Sequence, residues 1–166
     1  MSIANILQMD AIPDIINTPV IPASANIFWD DYNEPAQQRP LLVVSAQLNQ
    51  DSNELRQLTK MLQACKLGTE DYNLITLIDG QKIAWHKLRD TYSPRAVLML
   101  GIMPDMLGMT VLLRINEPNH FAGCIFIPTL SITDLETKTE MKRQLWNTAL
   151  KPVFVDDLYN YQETKQ

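Results

Sequence analysis

One stretch constrains the fold more than any other: Arg39 to Asp79, RPLLVVSAQLNQDSNELRQLTKMLQACKLGTEDYNLITLID. Leu41 to Ala46 is a short apolar run starting just after Pro40, as a buried strand does. A polar turn follows, in which Asp51 and Glu54 offer acidic side chains to the free N–H groups of a helix start. Leu55, Leu58, Met61, Leu62 and Cys65 then recur at helical spacing, opposite polar Arg56, Gln57, Lys60 and Gln63. Gly68 stands where a left-handed C-terminal cap is expected, and Tyr72 to Ile78 is a second β-rich run. A strand that returns after a crossover of this length pairs in parallel, in a right-handed βαβ unit.

The alternation continues. Asp79 is expected to cap a helix reaching Arg89, with Ile83, Ala84, Trp85 and Leu88 inward, and Pro94 closes that connection. Arg95 to Gly101 is the most hydrophobic run and reads as a central strand. A methionine-rich turn leads to an expected strand at Thr110–Ile115, a loop at Asn116–Gly123, and a buried strand at Cys124–Ile127 that stops at Pro128. Thr137 and Glu140 have the spacing of a capping box for a last helix reaching Leu150, with Met141, Leu145, Trp146 and Ala149 inward. The predicted class is α/β: a three-layer α/β/α sandwich with a mostly parallel sheet of four or five strands.

Residues 1–40 read as an extended N-terminal arm, 41–151 as the α/β domain, and 152–166 as an acidic C-terminal tail that docks loosely. Half of the ten prolines fall in the arm, which excludes a long helix there. The arm still carries large apolar side chains, with Ile12, Ile15, Ile16, Phe28 and Trp29 the candidate partner-binding residues. The net charge of −5 belongs to the ends: the arm holds five acids and one base, the tail three acids and one base, and the domain eleven acids and twelve bases. Without a basic stripe, direct nucleic-acid binding is expected to be weak or absent. No apolar run approaches the ~20 residues of a membrane span. No Lys or Arg precedes Arg39 to form the basic start of a secretory signal. The expectation is a soluble cytoplasmic protein with no membrane contact. Cys65 and Cys124 lack CxxC spacing and read as core residues, so no metal centre is expected.

In open α/β sheets a ligand sits beyond the carboxyl ends of the strands. The candidate cleft residues there are Gln47, Asn49, Asp79, Gly101, Ser131 and Thr133. The first loop, SAQLNQDSN, has no glycine to form a phosphate nest, and the chain has no P-loop, GxGxxG or GxSxG motif. His86 and His120 stand alone, and the candidate hydroxyls have no base adjacent in sequence. No catalytic residue and no cofactor is assigned.

Several segments together resemble the uracil-DNA glycosylase superfamily. Leu58 to Gly68 (LTKMLQACKLG) with Tyr72 to Thr76 (YNLIT) is similar to its first helix and second strand. Pro94 to Gly101 (PRAVLMLG) is similar to its P-x-hydrophobic-LG strand, and Cys124 to Lys142, continuing to Trp146, to its last strand, loop and helix. The resemblance implies a glycosylase-like fold but not the activity. Ala46-Gln47-Leu48-Asn49 replaces the Gly/Pro-rich water-activating loop. Leu77-Ile78-Asp79 replaces the uracil-recognition asparagine segment, and Ser131-Ile132-Thr133 stands in place of the histidine that meets the oxyanion. A glycosylase needs donors aimed at the departing base.

One non-catalytic branch of that superfamily, the psi subunit of bacterial DNA polymerase III, is closest in pattern. It is resembled through Leu41–Val44, Ala122-Gly123, Ile127-Pro128-Thr129-Leu130, Thr133-Asp134-Leu135 and Lys142 to Trp146. The resemblance implies a protein-interaction subunit of the replication or repair machinery, whose N-terminal arm engages the clamp loader. Two alternatives stay open. One is a divergent enzyme acting on a nucleobase through Gln47, Asn49, Asp79 and Ser131. The other is a scaffold that pairs with itself as a homodimer.

Overall fold

The computed structural model describes residues 37–48 and 53–162. Within them the elements run β1 (Leu41–Ala46), α1 (Asn53–Ala64), β2 (Tyr72–Leu77), α2 (Trp85–Tyr92), β3 (Ala96–Leu100), β4 (Asn119–Phe121), β5 (Cys124–Thr129), α3 (Ile132–Thr137) and α4 (Thr139–Leu145). A 3-10 turn at Pro104–Leu107 precedes β4, and a π-helical segment, Trp146–Val155, continues α4. The five strands form one sheet in the order β2-β1-β3-β5-β4. All pairings are parallel except β4 with β5.

Strand periodicity sorts the core into two layers. Leu41, Val43, Ala96, Leu98, Leu100, Ile125 and Ile127 face one side, under Leu58 and Leu62 of α1 and Leu145, Ala149, Val153 and Phe154 of the C-terminal helices. Their neighbours Leu42, Val44, Val97, Met99, Cys124 and Phe126 face the other, packing with Ile83, Trp85, Leu88 and Leu107. Helices therefore cover both faces of a mostly parallel sheet, which is why β1, β3 and β5 are apolar almost without break. Trp85 meets Phe126 edge-on, ring centroids 4.8 Å apart.

The βαβ unit forms as its sequence pattern implies, but its cap lies elsewhere. Lys66, not Gly68, takes the left-handed conformation, with φ 62°. Leu67 N–H donates to Leu62 O at 3.0 Å and Lys66 N–H to Gln63 O at 2.9 Å, the paired bonds of a Schellman motif. Leu67 then joins Leu62 in the core, and this apolar contact selects the stopping point over the glycine. Gly68 instead opens the turn into β2, its N–H held by Asp71 Oδ2 at 2.8 Å.

Four other expectations are corrected. Asp79 caps no helix: Gln81 closes the turn by bonding the Ile78 backbone, Ile83 N–H reaches Met106 O at 3.1 Å, and α2 starts only at Trp85. Thr110–Ile115 is not a strand, because Asn119 takes the backbone groups a strand would use. Its Oδ1 accepts from Arg114 N–H at 2.8 Å and its Nδ2 donates to Arg114 O at 2.9 Å. Within the expected loop, Asn119–Phe121 pairs with β5 through a two-residue turn at Ala122 and Gly123, both at positive φ. The helix cap is Ser131, whose Oγ accepts from Asp134 N–H, and Thr137 closes α3 rather than opening the last helix.

Two ends of elements also differ. β5 runs through Pro128, whose side of the strand faces past the end of β4, so its missing N–H forfeits no ladder bond. The chain after Pro152 does not dock loosely up to Gln162: Val153, Phe154 and Tyr161 are core residues, and Arg95 Nη1 donates to Tyr161 O at 2.8 Å.

Candidate functional site

The chain leaves β1 for β2 on one side of the sheet, and leaves β3 for β4 and β5 on the other. The carboxyl ends of β1 and β3 thus flank the switch point where such folds hold ligands. Gln47 follows β1 and is exposed, and Gly101 follows β3. Gly101 has φ +68° and donates its N–H to Thr129 O at 3.0 Å. A Cβ on Gly101 would lie 3.0 Å from Ser131 Cβ, so the rim of β3 rests directly on the start of α3.

Ser131 is the N-cap of α3. Its Oγ accepts from Asp134 N–H at 3.2 Å and donates to Asp134 Oδ2 at 3.0 Å. Thr133 Oγ1 donates to Glu54 Oε1 at 2.5 Å, tying α3 to the first turn of α1. The structure therefore brings Gly101 and Ser131 into contact and places Thr133 on the same helix start. It leaves Asp79 on an exposed turn beyond the edge strand β2. Asn49, and the arm residues Ile12, Ile15, Ile16, Phe28 and Trp29, lie outside the described residues.

The chemistry of this rim follows from its partners. Both hydroxyls are bonded to carboxylates, and those carboxylates sit on the first turns of helices, where they complement free N–H groups. A nucleophile would need a base within reach. His86 lies in the first turn of α2, and His120 lies on β4 with its ring centroid 5.5 Å from that of Tyr159. Among the described residues no group of three or more His, Cys, Asp or Glu is placed to hold a metal ion.

Two polar clusters escaped the sequence reading. Asn116 is fully buried with φ 59°, and Thr129 Oγ1 donates to its Oδ1 at 2.7 Å. Asn116 N–H also holds Pro128 O at 2.8 Å, so this residue staples the loop before β4 onto the end of β5. Its position in N-E-P-N signalled a turn, and nothing nearby in sequence signalled its buried partner. The second cluster lies at the opposite end of the sheet, around a cavity of about 580 Å³ lined by Arg39, Cys65, Asp71, Arg95, Phe154 and Tyr161.

Burial pushes the Cys65 thiol up to about 12. Burial also raises the Tyr161 phenol; the Asp71 charge and Cys65 add to the rise, and Arg95 opposes it. Cys124, raised by burial against the opposing charge of Arg89, donates its Sγ–H to Pro94 O at 3.1 Å. All three groups are protonated at neutral pH, and both thiols are inert core groups.

Fold and rim together define the class: an α/β protein with a mixed five-stranded sheet, covered on both faces, whose strand-end rim is built from helix caps. No family model, no curated protein and no solved structure matches the chain. Among the described residues no helix is long and apolar enough to cross a membrane.

Proposed function

We propose that this chain is a non-catalytic interaction subunit of the DNA replication or repair machinery. In this reading it is built on a uracil-DNA glycosylase-like fold, similar to the psi subunit of bacterial DNA polymerase III, and works in the cytoplasm. The observation that carries the reading is the state of the strand-end rim. On that resemblance Ser131 and Thr133 stand in for a glycosylase's reacting groups, and both are bonded into helix starts, Ser131 to Asp134 and Thr133 to Glu54. Gly101 and Ser131 approach closely at the same rim, and this supports the reading because an enzyme that flips a base needs an open pocket for it.

Exposed apolar side chains support a role in protein contacts. Leu112 is 99% exposed and Ile115 half exposed, close in sequence to β4, which forms one edge of the sheet. Edge strands and exposed apolar residues are common elements of protein interfaces. The acidic, proline-punctuated arm adds Phe28 and Trp29, residue types that dominate interface energies.

The test is to immobilise the full chain and titrate it with purified clamp-loader proteins, while incubating the same preparation with single- and double-stranded uracil-containing DNA. Saturable binding with no abasic product is the expected result. Enzyme-dependent abasic product, or no binding to any replication or repair protein by a chain with a native circular dichroism spectrum, overturns the reading.

A further inference from the structure

A groove of about 350 Å³ runs between α1 and the C-terminal helices, lined by Lys60, Met61, Ala64, Lys142, Trp146 and Leu150. Met61 and Trp146 pack onto the core from outside yet stay only half-buried, so apolar surface is left on both walls. Cations border that surface. Lys60 and Lys142 are exposed, and Arg56 and Lys138 stand four residues before them, on the same sides of their helices. Lys142 pairs with Glu136 at 2.9 Å. Arg56, Lys60 and Lys138 make no ion pair among the described residues.

The arm begins beside this groove. The described residues start at Gln37, whose carbonyl accepts from Asn73 Nδ2 at 2.7 Å. Arg39 Nη1 donates to the carbonyls of Thr69 and Tyr72 at 2.8 and 2.7 Å. The arm is thereby rooted on the start of β2, just past the C-terminal end of α1, and Gln38 and Arg39 line one cavity together with Cys65 and Lys66. Its composition complements the groove in charge and in polarity. Residues 1–36 hold five acids and no base, and Phe28 and Trp29 are followed directly by Asp30 and Asp31. Trp29 stands eight residues before Gln37, a reach of up to ~26 Å. The groove wall from Ala64 back to Gln57 spans only about 10 Å of α1. Tethering supplies the segment at a local concentration on the order of millimolar.

We propose that the arm folds back onto its own body and seats in this groove. Phe28 and Trp29 lie against Met61 and Trp146, and Asp30 and Asp31 pair with Lys60 and Lys142. The seat concerns this chain alone and does not rest on the interaction reading. Where a partner also uses Phe28 and Trp29, it must first displace them from the groove, so the seat acts as an internal competitor.

The experiment treats the full 166-residue chain with a zero-length carbodiimide coupler, which joins a carboxylate to an amine only where they touch. The joined peptides are mapped by mass spectrometry, and a mixture of isotope-labelled and unlabelled chain separates links within one copy from links between copies. Asp30 or Asp31 should link to Lys60 or Lys142 within one copy. Those links should exceed links to Lys82 at least about fivefold, as expected for a seat held by aromatic anchors. Lys82 is equally exposed but adjoins Ile83, in the core layer on the other face of the sheet. Replacing both anchors, Phe28→Ser with Trp29→Ser, leaves every described residue in place. It should cut the links to Lys60 and Lys142 about fivefold or more, with the circular dichroism spectrum unchanged. Four results overturn the proposal: no link from the arm to either lysine, links only between copies, equal linking to Lys82, or an unchanged yield in the double variant. Clamp-loader binding is measured separately, so none of these results decides the interaction reading.

Discussion

Replacing Gly101 by alanine isolates how tightly the strand-end rim is closed. Two separable costs act. The backbone sits at φ +68°, where an alanine costs roughly 1 kcal/mol or slightly more. The added Cβ would also stand 3.0 Å from Ser131 Cβ and 3.2 Å from Ser131 Cα, inside the cap of α3. Neither atom is the free end of a flexible side chain, so the cap itself must move, at a further cost of about 1–3 kcal/mol. Gly80 supplies the control. It has φ +79° with nothing within 4 Å of an added Cβ, so Gly80→Ala carries the backbone cost alone, about 1 kcal/mol.

Urea unfolding followed by circular dichroism, with linear extrapolation, resolves this difference. Gly101→Ala should lose roughly 2–4 kcal/mol in total and exceed Gly80→Ala by at least about 1 kcal/mol. Adding Ser131→Gly removes the nearest contact at a capping cost of only a few tenths of a kcal/mol, so the double variant should be more stable than additivity predicts. Equal losses for Gly101→Ala and Gly80→Ala, with an additive double variant, would refute the close approach of β3 and α3. An open cleft would then return as a live reading of the rim.

Asn116→Ala should cost about 2–4 kcal/mol, because it leaves the buried Thr129 hydroxyl without its 2.7 Å acceptor and puts alanine at φ 59°. Asn116→Gly, which accepts that backbone, should cost about 1 kcal/mol less in the same assay. Stability should also fall in alkali. Cys65 is raised from 9.0 to about 12 in the folded chain, so its contribution is fully present below pH 9 and is lost as pH rises towards 12. A thermal series from pH 8 to 11 should therefore show a decline that is shallower in Cys65→Ala; an identical slope in the two proteins would exclude Cys65 as its source.

The layers of this fold were legible because they are written in local periodicity. Leu41–Ala46 and Arg95–Gly101 have the continuous apolar character of strands covered on both faces, and α1 shows its stripe openly. The ends of elements were harder to read, since several local signals compete for each one. Gly68 and Lys66 both lie near the end of α1, and packing of Leu67 onto Leu62 decided for lysine despite the backbone preference of glycine. Ser131–Asp134 and Thr137–Glu140 are rival capping pairs six residues apart in one segment. The first wins because β5 runs on to Thr129 and delivers the chain to α3 there.

The same reasoning separates what could be read of the two candidate sites. The strand-end rim was found in sequence because topology alone places Gln47, Gly101 and Ser131 after neighbouring strands. What those residues do was not legible, since a serine that caps and a serine that reacts differ only in their partners. Ser131 meets Asp134 three residues away, and Thr133 meets Glu54 seventy-nine residues away. The cavity at the other end had no local signature. Arg95 reads as the flank of a strand and Tyr161 as part of an acidic tail, yet the guanidinium spans 66 residues to hold the tyrosine carbonyl. That bond helps to hold the segment after the π-helix on the core and sets the unpaired phenol beside Arg95 and Asp71.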